Sequence, residues 1–154
     1  MLSNTSEYAL RMMVLLTEQN GTPTTCANLS GVGRIPQQYA AKVLYLLRQK
    51  GLVRGQRGRY GGYVLGCDAN ELTLLDVVNA IDPLKRIESC PLGRSEHSHQ
   101  LCPMHLMIDN AIGQLESGLS ELTLRQLVDE RDSSPLCQSK TVMSDLTIGG
   151  VPTG

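Results

Sequence analysis

In "NTSEYALRMMVLLTEQ" apolar residues run almost without a break from Tyr8 to Leu16. A helix apolar on most of its sides is buried on most of its sides. Asn4, with Glu7 three residues later, reads as its capping box, and "NGTP" (20–23) ends it. A short helix follows from about Thr24 to Ser30, with "GVG" (31–33) as the turn after it. The next helix begins with Pro36 at its first position, where the missing N–H costs nothing, and ends near Lys50, before Gly51. Val43, Leu44 and Leu47 mark its buried face. Gln37, Gln38, Ala41, Lys42, Tyr45 and Arg48 fall largely on the other. "LVRGQRGRYGGYVL" (52–65) then reads as strand, glycine-rich tip and strand, with Gly61-Gly62 permitting a tight return.

Further along, "TLLDVVNAID" (73–82) is a short helix capped by Thr73 and Asp76, and Pro83 closes it. A long helix is predicted from Leu101, with Cys102 as N-cap and Pro103 at its first position. Leu101, Ile108, Leu115 and Leu122 repeat every seven residues, with His105, Ile112 and Leu119 between them. That is a two-helix seam, suited to pairing with its own copy or to an intramolecular core. "TLRQLVDE" (123–130) is a last short helix with a Thr123/Gln126 capping box, and the Ser/Thr/Gly-rich residues 132–154 are expected to be disordered.

Short helix, turn, longer helix with exposed amide and basic side chains is the helix-turn-helix arrangement, and an arginine-bearing hairpin directly after it is a wing. The predicted fold is therefore mainly α: a winged helix-turn-helix with a two-stranded β wing and a long dimerisation helix. Its parts are a DNA-binding unit over 1–83, a Cys/His loop over 84–101, helices over 102–131 and the tail. Glutamine bonds adenine bidentately, lysine reaches guanine or phosphate, and tyrosine bonds phosphate. On the hairpin, Arg54, Arg57 and Arg59 suit phosphates or a minor groove. No GxxxxGK[ST] motif is present to make the glycine-rich stretch a nucleotide loop.

Charge sharpens this reading. The formal net charge of −1 hides eight Lys/Arg against two carboxylates in residues 1–65, and six against thirteen in 66–154. The first half is built to meet an anion. The sequence is 41% hydrophobic, enough for a core, and its only aromatics are five tyrosines, so that core rests on aliphatic side chains and methionine. No apolar run approaches the ~18 residues of a spanning helix, and no basic region precedes the first apolar segment. Both features imply a soluble, cytoplasmic protein without membrane partners.

Residues 88–105, "ESCPLGRSEHSHQLCPMH", hold all three histidines (His97, His99 and His105) and two of the five cysteines, Cys90 and Cys102. Thiolates and imidazoles are ligands that soft metals take, and a helix N-terminus favours thiolate at Cys102. Cys90, His97 or His99, Cys102 and His105 make a Cys2His2 set, without the CxxC spacing of a zinc module. Cys26, Cys67 and Cys137 match no ligand pattern. Three readings stay open: an iron–sulfur cluster on Cys90, Cys102, His105 and a carboxylate or His97, a metal-free thiol switch through Cys90 and Cys102, and a polar loop that senses nothing.

Taken in order, "EYALRMMVLL", "IPQQYAAKVLYLLRQKGLV", "RGRYGGYVL", "LTLLDVVNAID" and a cysteine-bearing loop before a long helix resemble the bacterial winged-helix regulators typified by IscR, NsrR and CymR, over roughly residues 1–130. The resemblance implies a homodimeric transcription factor, often a repressor, that binds a duplex operator. It implies that Gln37, Gln38, Tyr39 and Lys42 read the major groove and that Arg57 probes the minor groove. Cluster-binding members hold an iron–sulfur cluster (2Fe-2S or 4Fe-4S) on three loop cysteines and a fourth ligand, sensing iron–sulfur, redox or nitric-oxide status. Cys90, Cys102 and His105 match positions of that set, and Glu7 falls where some members use a carboxylate of the partner's first helix. The middle cysteine is replaced by Glu96, flanked by His97. The contrasting class, a small metalloenzyme, lacks support: nothing outside the loop suggests a base or an oxyanion-stabilising group, and the basic half would go unexplained.

Overall fold

The computed structural model describes residues 2–91 and 101–130. Its elements are α1 (Asn4–Glu18), α2 (Cys26–Gly33), α3 (Gln37–Gln49), β1 (Val53–Gln56), β2 (Gly62–Leu65), α4 (Leu74–Ile81), α5 (Pro103–Ser120) and α6 (Leu124–Asp129). The predicted fold class holds: a mainly helical chain with one antiparallel two-stranded sheet, in register Val53↔Leu65 to Gln56↔Gly62.

The apolar run of α1 makes it the hub, packed against α2, α3, α4, α6 and β2. Met12, Met13 and Leu16 are almost fully buried, and Leu44, Leu47 and Leu124 close over them. Thr17, buried on the same helix, satisfies its hydroxyl by donating to the Met13 carbonyl at 2.8 Å. Both later capping boxes form as the sequence predicts, at Thr73/Asp76 and Thr123/Gln126. The two caps lie side by side, with the Leu74 N–H on the Leu122 carbonyl and the Leu124 N–H on the Leu72 carbonyl. This is how α6 returns to α1 and α4.

Several local expectations are corrected. The N-cap of α1 is Ser3, whose hydroxyl accepts from the Ser6 N–H at 3.2 Å. Asn4 is the first helical residue, so Glu7 is no capping residue; it pairs with Arg11 one turn on. Thr25 caps α2, which shifts that helix to Cys26–Gly33 and draws "GVG" into its last turn. The chain reverses instead at Arg34, in the left-handed region (φ 50°, ψ 48°). Gly33 serves close packing: a β-carbon there would sit 3.1 Å from Ile35 Cδ1 and 3.4 Å from Leu15 Cδ1. Pro36 is the N-cap of α3 rather than its first helical residue. At the wing tip the positive φ falls on Gly58 (117°), not on Gly61 or Gly62, which are glycines because other backbone passes close by.

The seam of α5 is also redistributed. His105 and Asp109 are its buried residues. Met104, Met107 and Ile108 are 53%, 69% and 41% exposed. His105 thus faces the chain's own body, while Ile108, placed in the same seam by the heptad count, lies with the two methionines on the outer side. The expected tail (132–154), including Cys137, lies outside the described residues.

Candidate nucleic-acid interface and Cys/His site

α3 and the wing form one surface. Ala40, Val43, Leu44 and Leu47 turn inward, which leaves Gln37, Gln38, Tyr39, Lys42, Tyr45 and Arg48 exposed on the outer face. Arg54 is exposed on β1, and Arg57 and Arg59 are exposed at the tip. Two contacts hold this surface together. The Arg48 guanidinium lies against Gly55, where an added β-carbon would sit 3.8 Å from its Cζ, so α3 and β1 meet through a basic side chain. The wing is docked by a bridge to Thr24, whose N–H donates to the Tyr63 carbonyl (3.0 Å) and whose carbonyl accepts from the Tyr63 N–H (2.8 Å). At the other end of α3 the Tyr39 ring lies 6.1 Å from that of Tyr8, and Arg11 stacks on Tyr8 while donating to the Gly33 carbonyl.

The second site lies at the root of α5. Cys102 caps that helix with no side-chain hydrogen bond to it, and Pro103 opens it. One turn in, His105 Nδ1 stands 3.1 Å from Cys102 Sγ and 3.9 Å from Cys90 Sγ. The donor atoms of Cys90, Cys102 and His105 all lie within 4.8 Å of one another. Cys90 and His105 are each 9% exposed, and Cys102 is half-buried. Thiolate and imidazole suit iron–sulfur chemistry as well as single ions, so in donor type the triad is compatible with a cluster. Glu96, His97 and His99 lie outside the described residues. Glu7 is tied to Arg11 of its own helix. Cys26 and Cys67 do not join the triad, and burial pushes both thiols up.

What brings Cys90 to Cys102 is an arginine clamp that the sequence reading missed. Arg86 grips Asp109 of α5 with two hydrogen bonds, Nε to Oδ1 at 2.7 Å and Nη2 to Oδ2 at 2.6 Å, and reaches Glu116 at 3.4 Å. The Ile87 N–H adds a bond to Asp109 Oδ1 at 2.8 Å. Gly113 makes room: a β-carbon there would lie 2.9 Å from Arg86 Nη1. The available signal was Asp109, Gly113 and Glu116 on one helical face, two carboxylates and a glycine beside the predicted seam.

The Arg86 hydrogen bonds, followed by the Ile87 N–H, hold the Asp109 carboxyl down at about 2, against an ordinary 3.8. A carboxyl whose pKa is lowered by folding stabilises the fold fully above its unfolded value. That contribution drains away as pH falls through the folded one. Asp109→Asn is therefore expected to be less stable than the parent near pH 6, with the deficit shrinking between about pH 4 and pH 2. Acid titration of the two proteins by circular dichroism checks this, and a deficit that ignores pH would exclude the ion pair as its source.

A winged helix-turn-helix with a basic recognition face defines a class, the DNA-binding transcription regulators. Comparison with known proteins agrees. Residues 2–130 match the family model described as Rrf2, iron-dependent transcriptional regulator, and the chain belongs to that family. A helix-turn-helix-type transcriptional regulator of Mycobacterium tuberculosis is 38% identical over 99 residues, 63% of this chain. The match spans 62% of that relative's length. The regulator IscR of Yersinia enterocolitica is 28% identical over 153 residues, 98% of this chain and 93% of its own. Among solved structures, Bacillus subtilis CymR, the global cysteine regulator, superposes with a TM-score of 0.69 at 24% identity, covering 86% of this chain and 98% of that one. T. potens IscR gives 0.67 at 17% identity, over 84% and 87%. The family model and these relatives are described as transcriptional regulators. Among the described residues no helix is long and apolar enough to cross a membrane.

Proposed function

We propose that this chain is a homodimeric operator-binding repressor whose DNA affinity responds to the state of the Cys90–Cys102–His105 triad. The observation that carries the DNA-binding half is the exposure of Gln37, Gln38, Tyr39 and Lys42 on α3 and of Arg54, Arg57 and Arg59 on the wing, with α3 packed on β1. Amide and basic side chains of α3 enter the major groove and read base edges, while the wing arginines take phosphates or the adjoining minor groove. Fluorescence anisotropy of the full chain on duplex DNA, at stepped salt, tests this. Each phosphate contact removed lowers the salt slope by about one, so Lys42→Ala and Arg57→Ala are expected to weaken binding and flatten the slope. Salt-independent binding, or none, would overturn the proposal.

The dimer is supported by the outer face of α5. Met104, Met107, Ile108 and Ala111 are spaced at one helical repeat and exposed, and an apolar stripe at that spacing on an 18-residue helix is what a second copy covers. A two-fold pair also presents two recognition helices to two half-sites. Met107→Glu sets a charge on each copy against this contact. It is expected to turn a dimer into a monomer in sedimentation equilibrium, and a dimer that persists unchanged would rule this face out.

The responsive half rests on position. The triad joins the 84–91 segment to the first turn of α5, so a change in its ligation or oxidation acts at the root of the pairing helix and shifts the spacing of the recognition helices. The resemblance to cluster-binding regulators, together with the family's description as iron-dependent, is the source of this expectation. Oxidation of Cys90 and Cys102 to a disulfide is the second reading, favoured by sulfurs already within 4.8 Å.

A further inference from the structure

From the build of the wing tip we infer that Tyr60 is a specificity-determining residue for DNA. Its ring lies edge-on in the minor groove beside the half-site that α3 reads, and its hydroxyl selects an A·T pair there.

The tip is a tight turn. The Gly61 N–H donates to the Gly58 carbonyl at 3.0 Å, which puts Arg59 and Tyr60 at the two corner positions. Corners of this kind are ordinarily filled by Gly, Pro, Asn, Asp or Ser, each of which eases the reversal. Here the flanking glycines make the reversal. Gly58 takes the positive φ of 117°, and a β-carbon on Gly61 would lie 2.5 Å from the Gln56 carbonyl oxygen. The corner is thereby released from turn chemistry, and it holds a cation and an aromatic ring.

Packing does not account for these two side chains. Tyr60 is 83% exposed, more than any other large hydrophobic side chain among the described residues. Arg59 Cζ stands 5.9 Å from its ring centroid, at the outer limit of a cation–π contact, which is weak at an exposed site. The two side chains therefore part easily. An aromatic ring held in water at the apex of a turn, against local propensity and without packing, marks a contact surface.

The charge around the ring says what it meets. Arg54, Arg57 and Arg59 are exposed on the same hairpin, and the chain carries no carboxylate between Glu18 and Asp68. A tip of this sign is drawn to phosphates. Between the phosphates, the minor groove has deoxyribose walls about 6 Å apart, against which an aromatic ring packs edge-on. Its floor at an A·T pair shows only the adenine N3 and thymine O2 acceptors, which a tyrosine O–H meets as donor. At a G·C pair the guanine N2 amino group stands in that place. The narrow groove of A·T runs also concentrates the negative potential that attracts arginine. With the ring in the groove, the Arg59 guanidinium is left for a phosphate of the wall.

This inference rests on the proposed operator binding and adds the base pair that the wing reads. The full chain is first used to select its sites from a random duplex pool. Those sites are expected to carry A·T pairs flanking each half-site, and Tyr60→Ala is expected to select the same half-sites with the flank relaxed. On one selected duplex, diaminopurine in place of the flanking adenine adds a minor-groove amino group and leaves the major groove unchanged. It is expected to weaken binding by the unaltered chain about fivefold or more, the low end of what one mismatched pair costs. Inosine·cytosine, which changes the major groove but keeps the minor groove of A·T, is expected to leave affinity unchanged. Tyr60→Ala is expected to bind all three duplexes equally and with the salt slope of the unaltered chain, because no charge is removed. Tyr60→Phe keeps the ring, loses the donor and is expected to fall between the two. Selected flanks without A·T preference, or a Tyr60→Ala chain that discriminates the analogues as the unaltered chain does, would overturn the inference and leave operator binding intact. An unaltered chain that selects no duplex would sink both.

Discussion

Replacing Leu44 by alanine is expected to destabilise the chain by about 2–5 kcal/mol, measured as a fall in the urea midpoint at constant slope. Leu44 is fully buried on the inner face of α3, in the cluster that includes Met12, Met13 and Leu47. With no phenylalanine or tryptophan in the chain, the core is filled by many branched and thioether side chains, each seated against several others. Truncating one leaves a cavity that the surrounding side chains close only in part. α3 carries its exposed amide and basic residues on the back of this same packing. DNA affinity at a temperature where the variant is still folded is therefore expected to fall less than stability does. A loss below about 1 kcal/mol would mean that α3 is not seated as described.

Gly62→Ala is expected to have the second large effect, and a more selective one. A β-carbon at Gly62 would lie 2.7 Å from the Thr24 carbonyl oxygen, 2.8 Å from its carbon and 2.9 Å from its nitrogen. These are backbone atoms, which have no rotamer to yield. The methyl forces the wing away from Thr24 and breaks the paired bonds with Tyr63. Strain of this kind costs roughly 1–3 kcal/mol. Because Arg57 and Arg59 ride on the displaced hairpin, DNA affinity is expected to drop at least about tenfold, some 1.4 kcal/mol, while the helical content is unchanged. Anisotropy and circular dichroism on one preparation check both. Unaltered DNA affinity would remove the wing from the interface.

The two effects differ in how far the sequence announces them. Leu44 sits in a period of apolar positions on α3, and its burial follows from that spacing because helical geometry repeats locally. Gly62 looks like a turn glycine. Its actual role depends on Thr24, almost forty residues away, which no local pattern connects to it. The same distinction separates Thr73 and Thr123 from Arg86. The two threonines cap helices with partners three residues on, as the sequence predicts. Arg86 binds Asp109 and Glu116 across 23 and 30 residues, and its charge alone does not say where it goes. Even within one helix, the heptad count on α5 placed His105 and Ile108 in one seam. Apolar spacing does not tell which side meets the chain's own body and which side is left for another surface.

The sequence by itself determined the order of elements, the inner and outer faces of α3, the caps of α4, α5 and α6, the concentration of positive charge in the first half and the cysteine and histidine types available for ligation. All of these depend on neighbours within about one helical turn, or on composition, where backbone geometry and charge act directly. The tertiary structure alone decided the docking of the wing on Thr24, the clamp of Arg86 over Gly113, the outward turn of Met104 and Met107, and the meeting of Cys90 with Cys102 and His105. Each of these is a contact between segments far apart along the chain. Its geometry is set by how the whole core around α1 packs.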